Sequence, residues 1–421
     1  MATVVSNLNG LYKQVYADKL ENLIPEASLL TKKIAFVERE KETGDLYHQP
    51  VVLTYEHGIT YAAAAAGAFT LNSAISMNTK DAQVQGTQLL LRSALAYDAA
   101  AKASNDKKAF KKATQLLFEN MMESITKRLE LAVLYGGSGI GVGDSSANAS
   151  ATSTVVTLTT ASWATGIWLG MEGAQINFYK QSDGTLVSSS ADSIFTITSV
   201  NVDDKKLTIS GTATGISALD TALGAGDCDI YFNGAKEKEM TGLNGIITNT
   251  GTLFNISAST YNLWKGNSYD VGGALNIGKI LTGLSAPTAR GLNEGVTVLL
   301  NPLTWANVAS DLAALRKYDG SYKKTMGENG VEAIKFYSQN GEIELSSYNL
   351  VKQGEAFAIP MKQCMRIGAQ DISFKTPGRG DEIFTQLADA AGFEVRVYTD
   401  QAVFVKRPAH TLKYTGIVNN V

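Results

Sequence analysis

Cysteine, histidine, proline and charge are all scarce in this chain of 421 residues. Its two cysteines, Cys228 and Cys364, stand far apart in sequence. That excludes a disulfide framework and a cysteine-based zinc site. Three scattered histidines, His48, His57 and His410, argue against a His-rich metal centre and against a dedicated catalytic histidine. Lys and Arg number 37 against 40 Asp and Glu, a formal charge of −3, with no long basic run. Nucleic-acid binding along the whole chain is therefore not indicated. Charged residues make up only 18%, below the usual fraction of roughly a quarter. A water-soluble chain of this kind must place much uncharged surface somewhere, and contact with copies of itself is one natural place. No run of about 18 apolar residues occurs, and the N-terminus lacks a basic stretch followed by an apolar one. The expectation is a soluble chain with no membrane segment, folding in a reducing cytoplasm.

What is present is 44% hydrophobic residues and 39 glycines. The length is ample for a core and suggests roughly two to four domains. Residues 8–30 show a loose helical rhythm (Leu8, Leu11, Val15, Leu20, Leu23) divided by Pro25. They read as an arm that docks on something else. In GDLYHQPVVLTY the period changes to two. Leu46, His48, Pro50 and Val52 share one face, and Tyr47, Gln49, Val51, Leu53 and Tyr55 share the other. Pro50 suggests an edge strand. A small-residue stretch at 62–80 and a second extended pattern at 82–92 follow. Residues 36–92 thus read as a long two-stranded excursion, and such a ribbon needs a neighbour to lie on.

SALAYDAAAKA (93–103) is rich in helix formers. Residues 105–135 are the longest helix candidate, about 46 Å end to end. Phe110, Ala113, Leu117, Met121, Ile125, Ala132 and Tyr135 form its apolar face, with Lys112, Glu119, Glu123, Lys127 and Glu130 opposite. Glu123 and Lys127 are spaced for an i,i+4 pair. Arg128 projects into the apolar face, either snorkelling along its stem or meeting an acidic partner. Residues 137–153 have linker composition. Short strands rich in Val, Ile, Thr, Phe and Tyr over 154–233 suggest an inserted all-β barrel or sandwich. Residues 240–421 mix helices, expected at 271–284 and 303–318, with a buried strand in GVTVLLNP and further strands at IKFYSQ, EIELSSYNLV, EAFAIP and FEVRVYTDQAVFVKRP. The body reads as α+β.

The search for chemistry returns little. GGSGIGVG (136–143) lacks the Gly-Lys-Ser/Thr ending of a phosphate loop and follows a helix; a helix stop is the better reading. Asp227 and Asp229 beside Cys228 could be calcium ligands, but a cation site needs six or more oxygens, and solvation at a strand edge is the better reading. Arg379–Gly380–Asp381 reads as a turn. Cys364 and the tryptophans Trp163, Trp168, Trp264 and Trp305 read as core. Lys107, Lys108, Lys111 and Lys112 read as a solvated helix face. No catalytic, cofactor-binding or metal-ligating residue is assigned, and no cofactor.

The order of parts, namely arm, β excursion, long helix ending in LAVLYGG, β insertion, α+β body and closing EVRVYTDQAVFVKRP, resembles major capsid proteins of tailed phages with the Hong Kong 97-type fold. The stretch GLNGIITNTGTLFNISASTYNLWKGN is also similar to ones found in such coats. The resemblance implies an N-terminal arm (1–35), an extended β loop (36–92), a peripheral domain with a spine helix (93–144 and 366–421), an inserted all-β domain (145–240) and an axial domain (241–365). It implies a non-enzymatic subunit that self-assembles into hexamers and pentamers of an icosahedral head, built in the host bacterial cytoplasm around double-stranded DNA that it contacts non-specifically. A separate scaffolding protein and a portal are implied partners, with room for a decoration protein. Phe69, Lys80 and Arg128 are the candidate subunit contacts. Lys80 lies near the tip of the excursion, and a Lys–Asn cross-link of the sort some relatives form has no assignable partner here. An encapsulin-type compartment shell is the alternative, and a β-rich surface adhesin a more distant one.

Overall fold

The computed structural model describes residues 28–38, 46–64, 67–96, 107–188, 191–310, 333–338, 341–375, 383–386 and 392–419. Most of the arm, residues 97–103, Arg379–Gly380–Asp381 and the side chains of the lysine cluster at 107–112 lie outside these.

One strand organises the first sheet. Gly392–Val405 runs 14 residues and pairs antiparallel with Cys364–Ser373 along one edge and with Thr87–Ala96 along the other. Phe384–Gln386 continues the first edge, and Phe36–Glu38 adds a short parallel strand beside Cys364–Ser373. Thr87–Ala96 corrects the expectation of a helix from residue 93. Ser93–Ala96 stay extended because their register against Gly392–Val395 continues without a break; tertiary pairing overrides helix propensity. The long helix Lys107–Tyr135 crosses this sheet, and Met121 and Ile125 pack on Val395 and Val397.

A second, six-stranded sheet runs in the order Asn267–Gly273, Leu412–Ile417, Ala356–Ile359, Val296–Leu300, Gly341–Ser347, Ala333–Ser338. Val296–Leu300 is buried throughout, as expected of GVTVLLNP. Leu412–Ile417 pairs here with Asn267–Gly273 and Ala356–Ile359. The chain's end therefore leaves the first sheet, although the expected division kept 366–421 together. The helix expected at 271–284 is Ile277–Ala289, because Val271–Gly273 still belong to the edge strand. Asn276 caps it by accepting from Lys279 N at 2.8 Å. The helix expected at 303–318 is Pro302–Ala309 within the described residues.

Between the long helix and the second sheet stands a closed six-stranded barrel, built from Gly141–Ser150, Ser153–Leu158, Lys206–Ser210, Phe195–Asn201, Gln175–Lys180 and Cys228–Phe232. Two expectations are corrected here. Residues 141–150 are a barrel strand rather than linker. Their glycines have a packing reason: a Cβ on Gly141 would lie 2.8 Å from the Trp168 ring. Nor is the unit all-β. Helix Ala213–Ala225, capped by Thr212 accepting from Gly215 N, buries Ile216, Leu219 and Leu223, and Thr154 Oγ1 donates to its Asp220 at 2.9 Å. Trp163 and Trp168, read as separate core anchors, stack on each other with ring centres 6.3 Å apart. Chain entering and leaving the barrel is adjacent, since Gly242 N donates to Gly136 O at 2.9 Å.

Glycine in the helix Ile277–Ala289 is ordinarily a cost relative to alanine, and Gly283 is an exception. A Cβ there would meet Tyr414 Cε1 at 2.5 Å and Leu412 Cδ2 at 3.1 Å. Tyr414 is fully buried and donates to Ile280 O at 2.7 Å, so it cannot yield. Gly283→Ala is expected to destabilise by about 1–3 kcal/mol rather than stabilise; urea unfolding of the two proteins checks the sign.

Candidate assembly interface

The excursion between the first-sheet strands is a ribbon. Tyr47–Val52 pairs antiparallel with Thr79–Val84, and the first of these strands alternates between half-buried and exposed positions as its period-two pattern requires. The inward side is anchored at the base. Leu53, Ala82 and Val84 are buried, the Tyr47 ring meets Phe404 edge-on at 5.9 Å, and Gln83 N donates to Phe254 O at 3.1 Å. His48 Nδ1 and an Asp81 carboxyl oxygen meet in a hydrogen bond across the outer face.

Beyond the base the ribbon continues without strand pairing but with cross-connections. Leu53 N donates to Asn78 O at 2.9 Å and His57 N to Ile75 O at 3.0 Å. Asn72 closes the far end by donating its backbone N to Thr60 Oγ1 at 2.8 Å and its amide to Ile59 O at 2.9 Å. Asn78 Nδ2 ties the near end to Tyr261 at 2.8 Å. This stretch exposes apolar residues on a large scale: Tyr61 is 89% exposed, Tyr55 85% and Leu71 74%, with Ile59, Phe69, Ile75 and Met77 also exposed. Isolated exposed apolar residues are ordinary, but a contiguous series marks an interaction surface. Phe69, singled out in the sequence, lies exposed on this outer part, whereas Lys80, expected near the tip, is exposed in the paired base strand opposite Val51, because the strand pairing ends at Val52–Thr79 and the tip lies well beyond it.

Under the ribbon's base lies a cleft of about 590 Å³. Val51, Leu53, Leu263 and Trp264 give it an apolar floor, while Arg290, Lys406 and Arg407 give it a basic wall. Arg290 donates to Lys265 O at 2.8 Å. Buried His410, at the cleft's inner end, hydrogen-bonds Gln363 at 2.9 Å; burial first, then Arg407, holds its imidazole below the ordinary value. The cleft is amphipathic and positively charged on one side. Among the described residues no three metal-ligating side chains converge, and no helix is long and apolar enough to cross a membrane.

Arg128 takes a different position. Its guanidinium sits 3.2 Å above the Phe232 ring, joining the long helix to the barrel by a cation–π contact. Burial brings it down to about 10, with Glu239 opposing, so it stays charged at neutral pH. Lys127 and Glu130, expected on a solvated face, are both drawn inward. Lys127 Nζ donates to Leu169 O of the barrel loop at 2.6 Å. Glu130 is wholly buried. The helix is covered all round in this half, by barrel, second sheet and arm, so a one-sided reading of its pattern fails.

Lys127 has a pH signature. Burial, and then Arg128, lower its ammonium from 10.5 to about 8. Below that value both folded and unfolded chains carry the charge, and the cost of burying it is fully present. Between about 8 and 10.5 the folded form has shed the proton and the unfolded form has not, so stability rises with pH. Relative to Lys127→Met, the wild-type chain is expected to gain roughly 1–3 kcal/mol between neutral pH and about pH 10. Parallel stability profiles for the two proteins would contradict this.

No protein-family model matches the sequence, and no curated protein matches it. Solved structures do. A chain of the cyanophage A-1(L) capsid asymmetric unit is similar over 98% of this chain and 99% of its own, with a TM-score of 0.56 and 11% identity. A chain from the capsid of an empty GTA particle gives 0.51 at 9% identity, and one from the native GTA particle 0.50 at 8%, each covering 99% of both chains. The likeness is one of fold, and it runs from end to end.

Proposed function

We propose that this chain is the coat subunit of a Hong Kong 97-type icosahedral head, forming hexamers and pentamers around double-stranded DNA. It performs no catalysis. The observation that carries this reading is the ribbon: a tethered two-stranded excursion whose outer apolar side chains are exposed among the described residues. Burying one large apolar side chain is worth about 1.5–3 kcal/mol, so several of them seated on a neighbour supply a substantial driving force for assembly. The capsid-subunit fold found in the comparisons supports the same reading, although fold alone does not carry function.

In this proposal the extended loop, residues 36–92, is rooted on its own subunit by its base and lays its outer part across the adjacent one, with Phe69 and Lys80 as contacts. Arg128, already engaged by Phe232 within the chain, is the weakest of the three candidates. The first sheet and long helix are the peripheral domain, and the second sheet is the axial domain, with Leu412–Ile417 assigned to it. The barrel is an insertion that faces outward. A separate scaffolding protein and a portal complete the assembly in the bacterial cytoplasm, and the DNA is contacted without sequence preference. The low overall charge limits repulsion between closely packed copies.

Electron microscopy of the expressed protein, with and without a scaffold, is expected to show shells or capsomers. A compact monomer under every condition would sink the proposal. Tyr61→Ser combined with Leu71→Ser is expected to leave the isolated subunit within about 0.5 kcal/mol of its original stability while sharply reducing shell yield. Unchanged yield would remove the ribbon from assembly. Shells that form but never hold DNA would favour a cargo compartment instead.

A further inference from the structure

The short helix Leu29–Lys33 is held in an unusual way. At its start, the Glu130 carboxylate of the long helix accepts from Leu30 N at 3.0 Å, Thr31 N at 2.6 Å and Thr31 Oγ1 at 2.7 Å. Tyr348, from the turn after a second-sheet strand, donates to the same carboxylate. At its end the opposite charge appears. Arg366 of the first sheet donates Nε to Ile34 O at 3.0 Å and a terminal nitrogen to Thr31 O at 3.3 Å. Arg366 is itself oriented by Gln401 at 2.8 Å and Asp371 at 3.2 Å. A side contact completes the set, with Lys33 Nζ 3.0 Å from Glu344. Anion at the amino end and cation at the carboxyl end match the helix dipole at both termini.

Against these polar anchors stands little apolar burial. Among the described side chains of residues 28–37, only Leu30 and Ile34 are fully buried. The strand that follows, Phe36–Glu38, is three residues long and lies at the edge of its sheet. A segment with few buried apolar side chains and an edge pairing sits at the low-stability end of a fold. Its polar anchors are also interdependent, because removing one leaves buried partners unsatisfied.

We infer that residues 28–38 form a releasable strap. It is clamped electrostatically at both ends of its helix to the long helix and the two sheets, and it opens as a unit while the body stays folded. In the closed position it covers the sheet edge along Cys364–Ser373. In the open position it frees that edge. The strap is a property of the single subunit and does not depend on the shell reading.

Hydrogen exchange on the isolated full chain tests this. Glu130→Gln keeps the shape but sets an amide N–H₂ against donors. It is expected to lower protection of the amides of residues 30–34 and 36–38 by at least about tenfold, with the barrel amides of Phe195–Asn201 unchanged. Thr31→Val removes one hydroxyl donor and leaves Glu130 in place; it is expected to give the same pattern at smaller amplitude and covers the case in which Glu130→Gln fails to fold. Unchanged protection of the strap in Thr31→Val, or an equal loss across strap and barrel in either variant, would overturn the inference.

Discussion

The strand Gly392–Val405 is the constraint on which the rest of the structure depends. It supplies hydrogen-bonding edges to three other segments: the nearby Phe384–Gln386 and Cys364–Ser373, and Thr87–Ala96 from about 300 residues earlier. Its inward side chains Val395 and Val397 form the surface on which the long helix rests. Because side chains alternate along a strand, slipping this register by one residue would turn that apolar set outward. The same pairing brings the returning limb of the ribbon back into the body. The ribbon's root is thereby fixed, and its outer part can project without support.

The barrel is not a bead on a string. Its core is continuous with that of the body, and its loop residues pair directly with the turn after a second-sheet strand: Gly166 N donates to Asn349 O, and Gln353 N to Trp163 O. Buried polar groups mark the seam. Lys352, fully buried, donates to Gly139 O at 3.2 Å and lies over the Tyr135 ring; burial depresses its ammonium, with Glu355 opposing. Lys413 reaches both Glu355 at 2.6 Å and Asn244 at 2.8 Å. Such networks add directional specificity at a desolvation cost. Here they fix the angle at which barrel, long helix and second sheet meet.

Much of the architecture was legible because it follows local period. The alternation in YHQPVV, the apolar series through Leu117, Met121 and Ile125, and the buried run VTVLL each found the expected element. The failures share a cause. Ser93–Ala96 have helical propensity but extended partners. Gly141–Ser150 has linker composition but two strand neighbours. Helix Ala213–Ala225 was hidden by its Gly, Ser and Thr content, although Thr212 and the spacing of Ile216, Leu219 and Leu223 were available as a signal. Glu130 looked like a surface carboxylate, and nothing local to it indicates that a segment 100 residues earlier will cap on it.

A low charge fraction and an extended period-two excursion rich in apolar residues are legible in the sequence by itself. So is the end of the long helix at Tyr135, just before Gly136–Gly137. These are matters of composition and of period along the chain, which need no partner to be defined. Only the tertiary structure decided which strand closes the first sheet, that the glycine-rich stretch is a barrel wall beneath Trp168, that Arg128 stacks on Phe232, and that Glu130 and Arg366 face each other across one short helix. Those outcomes rest on pairings between residues far apart in sequence. Their energy depends on burial and geometry, and neither quantity exists until the chain has folded.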